Sequence, residues 1–110
     1  MRREGRGPVK FTLKRREEPV EIDGKKFVLR ELTGRERAAF FEAAKAKRRG
    51  ESGVSLEALV IGFSLADEAG VTFAAEVVDG WPATIIGALS GRAGLLSGLT
   101  EESDETAGNA

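Results

Sequence analysis

The sequence predicts a mainly α fold with a small N-terminal β-hairpin (α+β), in which three to four helices pack around a central apolar helix at residues 56–69. Three observations predict it. Asp23-Gly24 lies between two short runs of alternating polarity, the strongest short signal for a two-residue hairpin turn. From Leu56 onward the chain is at its most apolar, with Leu56, Leu59, Val60 and Phe63 spaced i, i+3, i+4, i+7 as on one helix face. Thr33, Ser55 and Pro82 stand where helices start, each ahead of an apolar-periodic stretch.

Taking the chain in order, Val9-Lys10-Phe11-Thr12-Leu13-Lys14 alternates apolar and polar residues and reads as a half-buried strand. In the hairpin over 20–29, the two-residue loop places Val20 opposite Phe27 and Ile22 opposite Lys25, so Val20, Ile22, Phe27 and Leu29 share a face. A lone hairpin is marginal in water, so it needs the helices, or a third strand from residues 9–14, behind it. Thr33-Gly34-Arg35-Glu36 is a capping box that opens a helix over about 34–49, with Ala38, Phe41 and Phe40 as its inward face and Gly50 as its stop. Four cations, Lys45, Lys47, Arg48 and Arg49, crowd its end; they complement the helix dipole, a reading that precedes any partner contact.

Ser55 caps the central helix, and Ala58, Ile61, Leu65 and Ala69 form a second apolar stripe, so protein should surround this element on most sides. Gly62 in its middle costs about 1 kcal/mol relative to Ala, which a close approach of another backbone would offset. The helix should stop near Gly70. A last helix over 82–96 follows Asp79-Gly80-Trp81-Pro82, with Asp79 as its cap and Ile85, Leu89, Ala93 and Leu96 as its stripe. The organisation expected is a flexible basic arm (1–8), one globular domain (9–99) and a disordered acidic tail (100–110).

Composition narrows the chemistry. The 110 residues contain neither cysteine nor histidine, which excludes disulfides, thiolate nucleophiles, Ser-His-Asp catalysis and the usual zinc ligand sets. No catalytic residues, no metal ligands and no cofactor are expected, and the chain is not expected to be an enzyme. No apolar run reaches the ~20 residues of a membrane span, and no signal-peptide core follows the basic start, so no membrane partner and a cytosolic site are expected.

The net charge of −1 conceals a division. Residues 1–50 hold sixteen Lys/Arg and eight Asp/Glu; residues 51–110 hold one and ten. The halves either neutralise each other within the chain or meet on neighbouring copies. Asp67-Glu68 sharpens the choice, because two acids in the last turn of a helix oppose its dipole. Arg30, Arg35 and Arg37 are the candidates to meet them, inside the chain or across a self-association contact. The N-terminal Arg2, Arg3 and Arg6 suggest a nucleic-acid arm only weakly, since no aromatic is interleaved to stack bases.

The order of these pieces resembles the tail assembly chaperones of long-tailed bacteriophages. The resemblance rests on Phe27-Val28-Leu29-Arg30-Glu31-Leu32, on Ser64-Leu65-Ala66-Asp67-Glu68-Ala69-Gly70 with Phe73, on Trp81-Pro82, and on Leu96-Ser97-Gly98-Leu99. It spans about residues 20–102 and departs in the basic N-terminus and the glycine-rich last helix. It implies a non-enzymatic assembly factor in the host cell cytoplasm that coats the tape measure protein, recruits tail tube protein through a frameshifted longer product, self-associates, and is absent from the virion.

An apolar groove between helices would take the tape measure protein in the helix-in-groove manner, and Phe40, Ile61, Leu65 and Trp81 are the residues expected to line it. Two other function classes remain open from the residues: a small nucleic-acid-binding protein using the basic half, and another structural tail or connector protein.

Overall fold

The computed structural model describes residues 7–99. The expected basic arm lies outside these residues except for Gly7 and Pro8, and the expected acidic tail lies wholly outside them. Strand β1 (Glu17–Ile22) pairs antiparallel with β2 (Lys25–Arg30), in the register Val20↔Phe27 and Ile22↔Lys25 that the hairpin turn dictates. Asp23 and Gly24 both take positive φ, 53° and 77°, as a two-residue turn matched to strand twist requires.

The third strand is not residues 9–14. It is β3 (Leu65–Asp67), which pairs antiparallel with β2 to give the order β1-β2-β3. Residues 9–14 run outside the sheet, and Pro19, which has no N–H to offer, stands in the edge strand β1 that they would have joined.

Helix α1 (Gly34–Arg48) starts with the expected capping box: the Thr33 hydroxyl accepts the Glu36 N–H at 3.1 Å, and the Glu36 carboxylate accepts the Thr33 N–H at 2.9 Å. It stops at Arg49, with Gly50 at φ 79°. Its inward face is set by Phe40 and Ala44, not by Ala38 and Phe41 as expected; Ala44 is the one fully buried residue of the helix, and Ala38 and Phe41 are exposed. The helix is docked along a narrow seam.

Helix α2 (Leu56–Ser64), capped by the Ser55 hydroxyl, ends five residues before the position expected. Leu65 is already extended (φ −86°, ψ 127°) and pairs with Leu29. A short apolar run fits both a helix and a strand, and here the open edge of β2 decides, since pairing satisfies its backbone groups. Asp67 to Gly70 then form a turn in which Asp67 Oδ1 accepts the N–H groups of Ala69 and Val71, both at 2.9 Å, and Gly70 takes φ 86°. Asp67 and Glu68 therefore do not sit on a helix end, and the conflict with a helix dipole disappears.

A short α3 (Ala75–Val78) leads to α4 (Ala83–Ser97), which starts directly after Pro82. Asp79 does not cap α4; it closes α3 and accepts the Ser55 hydroxyl at 2.9 Å. The core brings Leu29, Ala58, Ile61, Leu65, Val78 and Ala93 together from every layer, with α2 at the centre as expected. Gly62 faces the 73–75 segment so closely that a Cβ would lie 3.2 Å from the Phe73 carbonyl oxygen. Backbone proximity is what this glycine provides.

Candidate functional site

Two grooves flank the core, one on each side of α4. The first, about 530 Å³, lies where α1, α2 and α4 converge and is floored by Ala44, Val60, Gly91 and Gly94. Phe40, Phe41 and Leu56 form its wall. Their rings and side chains are left uncovered because α1 touches the body through so few residues; Phe41 is 43% exposed and Leu56 39%. Phe40 and Phe41 form a tilted pair, 5.5 Å between centroids and 57° between planes, and the Arg37 guanidinium lies over the Phe41 ring at 5.5 Å. Arg48 stands on the same rim and Glu57 opposite. This groove is apolar at the base, aromatic along one side and cationic at the lip.

The second groove, about 790 Å³, opens between the inner face of β1 and α4. Val20, Ile22 and Phe27 line the sheet side, and Trp81, Ile85 and Leu89 the helix side. Phe73 joins the walls at one end, 5.7 Å from Phe27 and 5.2 Å from Trp81 in an edge-to-face pair. At the other end Arg92 donates to Glu18, a hydrogen-bonded ion pair that raises the Arg92 pKa above its already high value. Glu18, Glu21 and Asp23 outnumber Lys25 and Arg92 around this groove, which leaves the rim along β1 and its turn mildly acidic.

Among the residues expected to meet a partner, Phe40 lines the first groove and Trp81 the second. Ile61 and Leu65 have no accessible surface, which corrects the expectation for both: they hold α2 and β3 in the core and present nothing to a partner. Phe41, Leu56 and Ile85 are exposed apolar residues of the two grooves that the periodicity placed on inward stripes. Phe41 had a signal in Arg37, four residues earlier on the same helix face.

The charged candidates lie apart. Asp67 is level with Phe27 in the sheet, toward the hairpin turn, whereas Arg30 ends β2 at the opposite edge of the β3 pairing. Arg35 and Arg37 follow on α1 and are exposed. Among the described residues the ion pairs are Arg15–Glu36, Arg16–Glu31, Lys45–Glu42, Arg49–Glu51 and Arg92–Glu18, and none joins Asp67 or Glu68 to those arginines. Asp67 spends its carboxylate on its own turn.

No cluster of three or more potential metal ligands occurs among the described residues, and none of their helices is long and apolar enough to cross a membrane. No protein-family model matches the chain, nor does any curated protein. Among solved structures, the chain is similar to the tail assembly chaperone of bacteriophage HK97, with a TM-score of 0.52 and 19% identity over 72% of this chain and 82% of that one. The fold is that of a phage tail assembly chaperone. At this identity the likeness is one of architecture, in agreement with the resemblance carried by the motifs. Within the tail-chaperone fold, the motif residues Leu65 and Asp67 form the strand β3 with Ala66, while Trp81-Pro82 leads into α4 beside the second groove.

Proposed function

We propose that this chain is a phage tail assembly chaperone that holds an apolar helical stretch of the tape measure protein in the groove between α1, α2 and α4. The observation that carries the reading is the wall of Phe40, Phe41 and Leu56, left part-exposed in a fold shared with such a chaperone. An isolated apolar stripe on a long helix aggregates unless covered, and aromatic walls over a floor of small residues accept such a stripe. Arg37 and Arg48 at the lip favour a guest helix that carries carboxylates beside its apolar stripe.

Each contact is small, so affinity would come from many copies along one tape, and the tube could displace them as it grows. In this reading the chain works in the host cytoplasm, self-associates along the tape, brings tail tube protein through a longer frameshifted product, and leaves before the virion is complete.

The test is co-purification of the full chain with a fragment of a tape measure protein from the same phage, beside a duplex-DNA gel shift at two salt concentrations. Capture by the native chain, lost in Phe41→Glu with the helical circular dichroism unchanged, supports the chaperone. A salt-sensitive shift without capture would establish the nucleic-acid reading instead. Detection of the chain in purified virions by mass spectrometry would point to a tail or connector component.

A further inference from the structure

We infer that residues 9–13 form a docking strand that seats in the groove between β1 and α4 of a second copy of this chain. Val9, Phe11 and Leu13 occupy alternate positions and are 79%, 89% and 102% exposed, so three large apolar side chains project from a segment that no other described residue covers. The intervening Lys10 and the following Lys14 make the segment basic. An extended strand from Val9 to Leu13 spans roughly 13 Å. The α4 wall of the second groove, from Pro82 to Arg92, runs about 15 Å. The lengths agree, and the groove is apolar where the three side chains would enter.

Charge selects between the two grooves. The first carries Arg37 and Arg48 against Glu57 and is net positive, which disfavours a basic segment; the second carries Glu18, Glu21 and Asp23 against Lys25 and Arg92 and is net negative. The root of the segment is pinned at the end of its own groove, where the Arg16 guanidinium donates to the Leu96 carbonyl of α4 and Glu18 pairs with Arg92. Arg16 N–H donates to the Glu31 carboxylate at 3.0 Å, the Arg16 carbonyl accepts the Glu31 N–H at 2.8 Å, and the Arg15 guanidinium pairs with Glu36 at 3.3 Å. Entry into the same chain's groove requires a reversal just before these contacts. Entry into a neighbour's requires none.

Pro19 on the β1 edge removes one ladder donor, so recognition rests on the side chains filling the groove rather than on a full added strand. The contact is heterologous, one copy's segment in the next copy's groove, and it propagates unless it closes. It stands independently of the tape-measure reading, because it uses the other groove.

The test is sedimentation velocity of the full chain over a concentration series. The native chain should show a mass that rises with concentration above the 11.8 kDa of one copy. Phe11→Glu, in the segment, and Ile85→Glu, in the groove, should each weaken association by about thirtyfold, the loss expected for one interface anchor. Mixing the two variants should restore a one-to-one complex, since each retains the half that the other lacks.

Because the chain has no cysteine, Leu13→Cys combined with Ile85→Cys should give a ladder of oxidised oligomers on a denaturing gel. A native chain that is monomeric at every concentration would overturn the inference. So would loss in Phe11→Glu with none in Ile85→Glu, which indicates arm-to-arm pairing, or oxidised monomer without a ladder, which indicates that the segment folds into its own groove. Both substituted positions are exposed, so the fold should survive, and circular dichroism checks that it does.

Discussion

Ser64, the last residue of α2, is bonded twice to Arg30, the last residue of β2: its hydroxyl donates to the Arg30 carbonyl at 2.8 Å and accepts the Arg30 N–H at 3.2 Å. The side chain is fully buried and does for the sheet what the next residue of a longer β3 would have done. Ser64→Ala leaves both backbone groups without that partner and should cost about 1–3 kcal/mol. Urea denaturation reads this as a lower midpoint at unchanged slope. A variant as stable as the native chain would mean that water reaches the site.

Two helix glycines should respond with opposite sign. At Gly62 a methyl group would meet the Phe73 carbonyl at 3.2 Å and the Ala75 amide at 3.4 Å. Phe73 is itself wedged between Phe27 and Trp81, so that segment cannot easily retreat. Gly62→Ala should be destabilising despite better helix propensity, and Gly62→Val more so. At Gly87 nothing lies within 4 Å, and Gly87→Ala should raise stability by about 0.5–1 kcal/mol. Thermal unfolding of the pair checks both signs.

Asp67 tests whether the acidic turn is built on geometry or on charge. Its Oδ1 accepts two N–H groups, and an amide oxygen at the same place can do likewise. Asp67→Ala should therefore cost about 1–2 kcal/mol, and Asp67→Asn much less. If Asn proves as damaging as Ala, the charge matters, and a cation on a neighbouring copy becomes the first explanation.

The boundary between legible and illegible parts of this chain follows local chemistry. Asp23-Gly24 demands positive φ at two successive residues, and Thr33 with Glu36 satisfies orphan helix donors reciprocally, so the hairpin, its register and the start of α1 could be read directly. The glycine at 62 could be read as well, because only close backbone approach explains its cost. The end of α2 could not. Leu65, Ala66 and Asp67 fit a helical stripe, and what turns them into a strand is the free edge of β2, more than thirty residues away in sequence.

The site divided in the same way. Phe40, chosen off the core stripe, and Trp81, chosen at a helix start, each line a groove, whereas Ile61 and Leu65 took their burial from α2 being covered on all sides. Val9, Phe11 and Leu13 have the alternation of a strand, and the sequence alone does not show that no described residue pairs with them.

The lip of the first groove makes a prediction about guest charge. Arg37 and Arg48 approach a bound helix from the α1 side, with Arg37 held over the Phe41 ring. Arg37→Glu with Arg48→Glu should slow association with a carboxylate-bearing guest, and the native rate should fall with added salt toward that of the variant. Stopped-flow mixing measures both. Equal rates at low salt would remove the lip from recognition.

Trp81 is the single tryptophan of the chain, which makes it a probe of one groove only. It is half-buried, meets Phe73 edge-on at 5.2 Å and lines the groove between β1 and α4, away from the Phe40 wall. An apolar side chain seated beside its ring displaces water from it and moves its emission to shorter wavelength. Emission should therefore shift to the blue as the native chain is concentrated, and stay fixed for Phe11→Glu over the same range. A helical guest in the first groove should leave the emission unchanged even when it binds tightly. If the guest moves the emission and concentration does not, the assignments of the two grooves are reversed, with Trp81 and Ile85 taking the foreign helix.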